Sequence, residues 1–146
     1  MSLEAKLAIL EQIARYSHTF DGCNLDAFAA IFSKDGVFEV YAADAVAPEL
    51  RLVGRAGIQA WVSDWYQNLE PGRRSRHYQT NTLFHTLTDE SAETSTMLLL
   101  TVQFGDEPQP RVKLTGVYHD RWKRSDGGWL LVYRALSHDR STPLED

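Results

Sequence analysis

Of 146 residues only one is a cysteine, Cys23. A lone thiol excludes an internal disulfide and any paired-cysteine metal or redox device, and it is compatible with a reducing, cytoplasmic setting. Long apolar runs are also missing. No stretch reaches 18 consecutive apolar residues, so no membrane-spanning helix is expected. The N-terminal "MSLEAKLAILEQIARY" is broken by Glu4, Lys6, Glu11 and Arg15, which removes the apolar core that a signal peptide needs. Positive charge is short as well: 15 Lys plus Arg stand against 20 Asp plus Glu, a formal net charge of −5 at pH 7. A nucleic-acid partner would want a basic surface. The one basic cluster, Arg73, Arg74 and Arg76, is brief and reads as a solvated turn. The patterns G-x-G-x-x-G, G-x-S-x-G and H-E-x-x-H are all absent, as is a phosphate-cradling glycine loop. Nucleotide, serine-nucleophile and zinc-protease mechanisms are therefore set aside. His18 and Asp21 stand at i, i+3, too common a spacing to mean zinc. No metal and no other cofactor is expected.

What is present suits a globular chain: 43% hydrophobic, 11% aromatic and 24% charged residues. The length corresponds to a single domain over residues 1–146, which can bury roughly 70% of its unfolded surface without staples. Ile9, Ile13, Tyr16 and Phe20 fall on one face of a helix spanning about Leu3 to Phe20 and stopping near Asp21-Gly22. Asn24 is a good N-cap for a second helix, with Asp26 in its first turn and Leu25, Phe28, Ile31 and Phe32 as its buried side. "KDGV" ends it, and Val37 to Tyr41 reads as a short strand. Residues 42–54, with Pro48, read as a loop. A third helix carries Ile58, Trp61, Val62, Trp65 and Leu69 on one face and halts at Pro71-Gly72.

Beyond residue 72 four strands are expected, at about 74–88, 93–105, 110–123 and 129–138. The turn signals "TDES", "GDEPQP" and "SDGG" separate them. Short connections make antiparallel neighbours, so the fold class is α+β, with helices packed on one face of a mainly antiparallel sheet.

Strand alternation then sorts side chains. His77, Gln79, Asn81 and Leu83 share one face of the first of these strands; Arg76, Tyr78, Thr80, Thr82 and Phe84 share the other. His77 and His85 are expected on a common face, but roughly 26 Å apart at 3.3 Å per residue, too far to hold one ion. In the third strand Val112, Leu114, Gly116, Tyr118, Asp120 and Trp122 form the inner set. In the last, Trp129, Leu131, Tyr133 and Ala135 oppose Leu130, Val132, Arg134 and Leu136. Asp120 on an apolar face is either a catalytic acid or the partner of an arginine such as Arg134. The four tryptophans read as core or subunit interface.

"RYSHTFD" followed by "LDAFAAIFSKDGVFEV", then "LVGRAGIQAWV", "RHYQTN", "TGVYHDRWKRSDGGWLL" and Arg134 resemble, in order, the SnoaL-like group of the nuclear transport factor two-like superfamily. The resemblance covers nearly the whole chain. It implies a cystatin-like cone, in which a strongly curved sheet wraps the N-terminal helices around an internal apolar cavity. It also implies activities like those of scytalone dehydratases, polyketide cyclases or steroid isomerases, although other members are non-catalytic and fold alone does not give the chemistry. In the dehydratase-like branch the histidine matching His77 faces the cavity, the aspartate matching Asp21 reaches it, and the tyrosine matching Tyr16 lies nearby.

Histidine titrates near neutral pH and can both take and give a proton. An aspartate on one ring nitrogen would set the tautomer and stabilise the imidazolium. The expected catalytic set is thus His77, Asp21 and Tyr16, with Asn81, Tyr41, Tyr118 and Trp61 as substrate-binding candidates. Tyr16, Tyr41, Tyr118 or Asn81 would donate to a developing enolate oxygen, an effect worth roughly 3 kcal/mol. The expected chemistry is cofactor-independent proton transfer, a lyase or isomerase acting on a small, mostly apolar carbonyl or polycyclic compound. The alternatives are a non-catalytic binding or assembly module of the same fold, and an isomerase with an aspartate base and a tyrosine donor. The apolar outer side of such a sheet needs cover, so a homodimer or homotrimer is expected, with no nucleic acid and no membrane partner.

Overall fold

The structure, a computed structural model, describes residues 2–144. Helix α1 spans Leu3–Asp21, capped by the Ser2 side chain, which accepts from the Ala5 amide, and it buries Ile9, Ile13, Tyr16 and Ser17. Helix α2, Leu25–Ala29, starts where Asn24 accepts from the Ala27 amide, but it is only five residues long. The expected continuation through Ile31 and Phe32 is wrong, because strand β1 already begins at Phe32 and runs to Tyr41. "KDGV" lies inside β1, at an irregularity between Phe32 and Val37. The supposed loop 42–54 holds a further strand, β2, Leu50–Val53, paired antiparallel with β1. Helix α3 covers Gly54–Gln67 and buries Ile58 and Val62. The chain then forms β3 (Arg74–Leu87), β4 (Ser91–Gln103), β5 (Arg111–Ser125) and β6 (Gly128–His138).

The six strands make one sheet in the order β2-β1-β6-β5-β4-β3. Only β1 and β6 run parallel; the other neighbours are antiparallel. Register shifts interrupt β1, β3, β4 with β5, and β5 with β6. Each such insertion bends its strand and increases the local twist, which curves the sheet toward the helices. Tyr16, Phe28, Phe32, Tyr118 and Trp122 pack on that concave side, all at most 3% exposed. None of the described helices is long and apolar enough to cross a membrane.

The irregularities also correct the expected side-chain faces. In β3, Thr80 pairs with Met97 and Leu83 with Ser95, so two residues oppose Thr96 alone. Asn81 takes a φ of 57°, the left-handed conformation that Asn tolerates better than most residues. Beyond it the phase flips: Thr82 and Phe84 turn inward while Asn81 and Leu83 are exposed. His85 is exposed too, so it does not share the half-buried face of His77 as expected. In β5, Val112 is exposed, since the pairing slips between Leu114 and Val112. In β6, Val132 is the extra residue between the Trp122–Leu131 and Arg121–Tyr133 pairs. Arg134, Leu136 and His138 thereby join Trp129 and Leu131 among the buried positions.

Candidate active site

β3 is an edge strand, and α1 lies against it. Its polar inward residues meet the helix one by one. Asp21, at the C-terminal end of α1, accepts from the Ser75 hydroxyl at 2.9 Å and from the His77 backbone amide at 2.8 Å. Its Oδ1 also lies 2.6 Å from Nδ1 of the His77 ring. Two positions further along, the Gln79 amide donates to the Ile13 carbonyl and the Ser17 hydroxyl. Alternation thus puts Ser75, His77 and Gln79 on one face, and the C-terminal half of α1 supplies acceptors in register. Ser75 and Ser17 were missed as site residues, although the two-residue spacing from His77 was signal enough for Ser75.

The imidazole and the carboxylate are nearly sealed from solvent, with side chains 11% and 9% exposed. Burial pushes the Asp21 carboxyl up, but the hydrogen bonds and charge of His77 and the Ser75 hydroxyl outweigh it and hold the group below its usual range. The ring of Phe20 stands edge-on to the imidazole at 5.0 Å, and Tyr16 at 6.5 Å. Beside the pair a groove of about 460 Å³ opens to solvent between α1 and β3, lined by Ser17, His18, Asp21, Gly22, Arg76, His77 and Tyr78. With Nδ1 held by Asp21, Nε2 is the nitrogen left to act as a base.

The other expected site residues lie elsewhere. Tyr16 and Tyr118 are buried around the guanidinium of Arg134, which sits 4.1 Å and 3.8 Å from their ring centroids. Arg134 grips Asp120 through two bonds of 2.8 and 2.9 Å and donates to Gln79, with neither charged side chain exposed. Asp120 is therefore the partner of Arg134, one of the two readings open from sequence. Burial raises the phenol pKa of Tyr16 against the opposing charge of Arg134, and burial raises that of Tyr118 well above the ordinary value. Neither phenol lines the His77 groove. Tyr41 is on the opposite side of the sheet, donating to Glu39, where it lines a cleft with Tyr133 and Ser137. Trp61 lines a separate cleft on α3. Asn81, exposed at its bulge, is not at the groove either. Of the seven residues, the structure brings His77 and Asp21 together with Tyr16 behind them, and packs Tyr16 against Tyr118 at 5.7 Å away from the groove. Among the described residues no three His, Cys, Asp or Glu side chains gather as metal ligands would.

Helices on the concave side of a bulged, curved six-stranded sheet define a cystatin-like α+β fold. The SnoaL-like domain family matches residues 1–135, and the chain belongs to that family. Solved structures agree on the fold. ActVI-ORFA from Streptomyces coelicolor is 24% identical, with a TM-score of 0.76 over 92% of this chain and 96% of that one. The β subunit of a candidate aromatic-ring-hydroxylating dioxygenase from Novosphingobium aromaticivorans is 19% identical, with a TM-score of 0.82 over 97% and 91%. A candidate scytalone dehydratase from the same organism is 21% identical, with a TM-score of 0.78 over 99% and 90%. At these identities the likeness speaks for the fold alone. No curated protein matches the chain.

Proposed function

We propose that this protein is a cofactor-independent acid–base enzyme in which His77 moves the proton and Asp21 orients it. The 2.6 Å contact between Nδ1 and a depressed carboxylate carries the reading. A carbonyl compound in the groove would lose a proton from the carbon beside the carbonyl to Nε2. The electron pair left on carbon moves into the enolate, and Asp21 stabilises the imidazolium so formed. In an isomerisation the imidazolium returns its proton at another carbon. In a dehydration it gives the proton to a departing hydroxyl, which leaves as water as the enolate collapses into a double bond. The proposed substrate is a small, mostly apolar hydroxy-ketone or polycyclic ketone. An aspartate base finds less support, because Asp120 is clamped by Arg134 and fully buried.

A second reading has its own observation. All three bonds to Asp21 come from β3, so the pair also fastens α1 to the sheet edge. In a non-catalytic binding or assembly module that would be its whole role. The two separate under a panel of hydroxy-ketones and cyclic ketones followed by NMR in deuterated water. Catalysed exchange or water loss that disappears in His77→Gln, with the melting temperature kept, supports the enzyme; wild-type rates in that variant end it.

The expected homodimer or homotrimer belongs to the same proposal. Leu83, Met97 and Leu99 are exposed on the side of the sheet away from the helices, the surface a second copy would cover.

A further inference from the structure

A second cleft lies between the C-terminal half of α3 and the segment leading into β3. It encloses about 360 Å³ and is lined by Trp61, Asp64, Trp65, Asn68, Leu69, Glu70 and Arg73. That volume falls within the roughly 300–1,000 Å³ of small-molecule sites. One residue in it is chemically incomplete. The Arg73 guanidinium lies 5.1 Å from the Trp65 ring centroid and 5.9 Å from that of Phe104. Its Nε is buried and, among the described residues, has no hydrogen-bond partner. A buried donor without an acceptor is costly. The two neighbouring rings restrict where the guanidinium can move.

We propose that this cleft binds a flat aromatic monocarboxylate, the ring lying against the indole of Trp61 and the rim of Trp65 and the carboxylate accepting from Arg73. The inference does not depend on acid–base catalysis at His77. The Asp64 and Glu70 carboxylates line the same cleft and limit the ligand to a single negative charge. They also offer acceptors to a ring hydroxyl, so a hydroxylated ring suits the cleft better than a bare one. Burial lowers the Arg73 pKa from its ordinary value, against the opposing charge of the Glu70 carboxylate. The Phe20 ring lies 5.0 Å from Trp65 and 5.0 Å from His77, so one ring separates this cleft from the groove of the histidine–aspartate pair.

The test is a titration of the full chain with 6-hydroxy-2-naphthoate, read by tryptophan fluorescence and by calorimetry. Its methyl ester and naphthalene-2,6-dicarboxylate serve as controls. The proposal expects saturable binding of the monocarboxylate and at least about tenfold weaker binding of both controls, as befits loss of a charge-assisted bond or an added repulsion. Arg73→Gln should weaken the monocarboxylate by a similar factor, while binding of the ester stays unchanged. Arg73→Lys should restore part of the affinity, and circular dichroism should report the same fold in all variants. Absence of binding at millimolar ligand, or equal affinity in wild type and Arg73→Gln, overturns the proposal. His77→Gln should leave the titration unaltered, so a failed enzyme reading and a failed binding site give different results.

Discussion

Asp21 receives three hydrogen bonds from two residues of β3, and it does so as a carboxylate held below its usual pKa. The sign of the consequence follows from linkage. The unfolded chain takes up the proton first, at about pH 4, so the stabilisation is present above that pH. It is lost as pH falls through the lower, folded value. Asp21→Asn should cost about 2 kcal/mol at pH 7, measured by urea unfolding. The gap between variant and wild type should shrink as pH drops below about 4. A gap that widens in acid would contradict the assignment. Arg134 and Asp120 pose the opposite case of two charges with no solvent at all. Burial alone would lower the guanidinium's pKa, but the Asp120 carboxylate outweighs it and raises it. Arg134→Met leaves Asp120 buried and unpaired and should cost about 3–5 kcal/mol. The double variant Arg134→Met, Asp120→Leu should regain much of that loss in a thermodynamic cycle. If the losses simply add, the pair is not coupled.

Among the elements, the strands carry the design of the site through their irregularities. The bulge at Asn81 lets β3 present Ser75, His77 and Gln79 to α1, and then Thr82 and Phe84 to the core. The extra residue Val132 turns Arg134 toward Asp120. Asn81→Gly removes the left-handed strain and should leave stability unchanged or slightly raised. Asn81→Val puts a β-branched residue at φ 57° and should cost about 1–3 kcal/mol. Gly116 is a tighter constraint, since an added Cβ would lie 2.5 Å from the Ser137 carbonyl oxygen and 2.9 Å from the His138 Cα. Both are backbone atoms of β6, so Gly116→Ala must push β5 and β6 away from each other. Chemical denaturation should show a loss of about 1–3 kcal/mol. Equal stability would mean that the two strands are not so close. The same elements explain why the site was only partly legible. Strict alternation predicts faces until the first bulge, and a bulge leaves little mark in sequence. His77 precedes the Asn81 bulge and keeps the face that alternation predicts, whereas Asn81 lies in the bulge and Leu83 and His85 beyond it, where the phase has flipped. β2 went unseen because four residues next to Pro48 offer too short an alternation to distinguish strand from loop.

For the whole molecule, the exposed Leu83, Met97 and Leu99 should decide the state of association. Sedimentation at micromolar concentration is expected to give a dimer or trimer, and Met97→Lys with Leu99→Glu should shift it to monomer. A monomeric wild type would remove the proposed self-association. By itself the sequence determined the α+β class, the four-stranded C-terminal run and the family resemblance; it was the resemblance, not residue spacing, that pointed to His77 with Asp21. Helical and strand periodicity, turn residues and caps are local, and local physics is written residue by residue. Tertiary structure alone decided that Tyr16 and Tyr118 enclose a buried guanidinium, that Tyr41 and Trp61 face other clefts, and that Arg73 keeps a donor with no partner among the described residues. Those outcomes depend on how distant segments meet across a curved sheet, and curvature is set by register shifts between strands, which no single strand encodes alone.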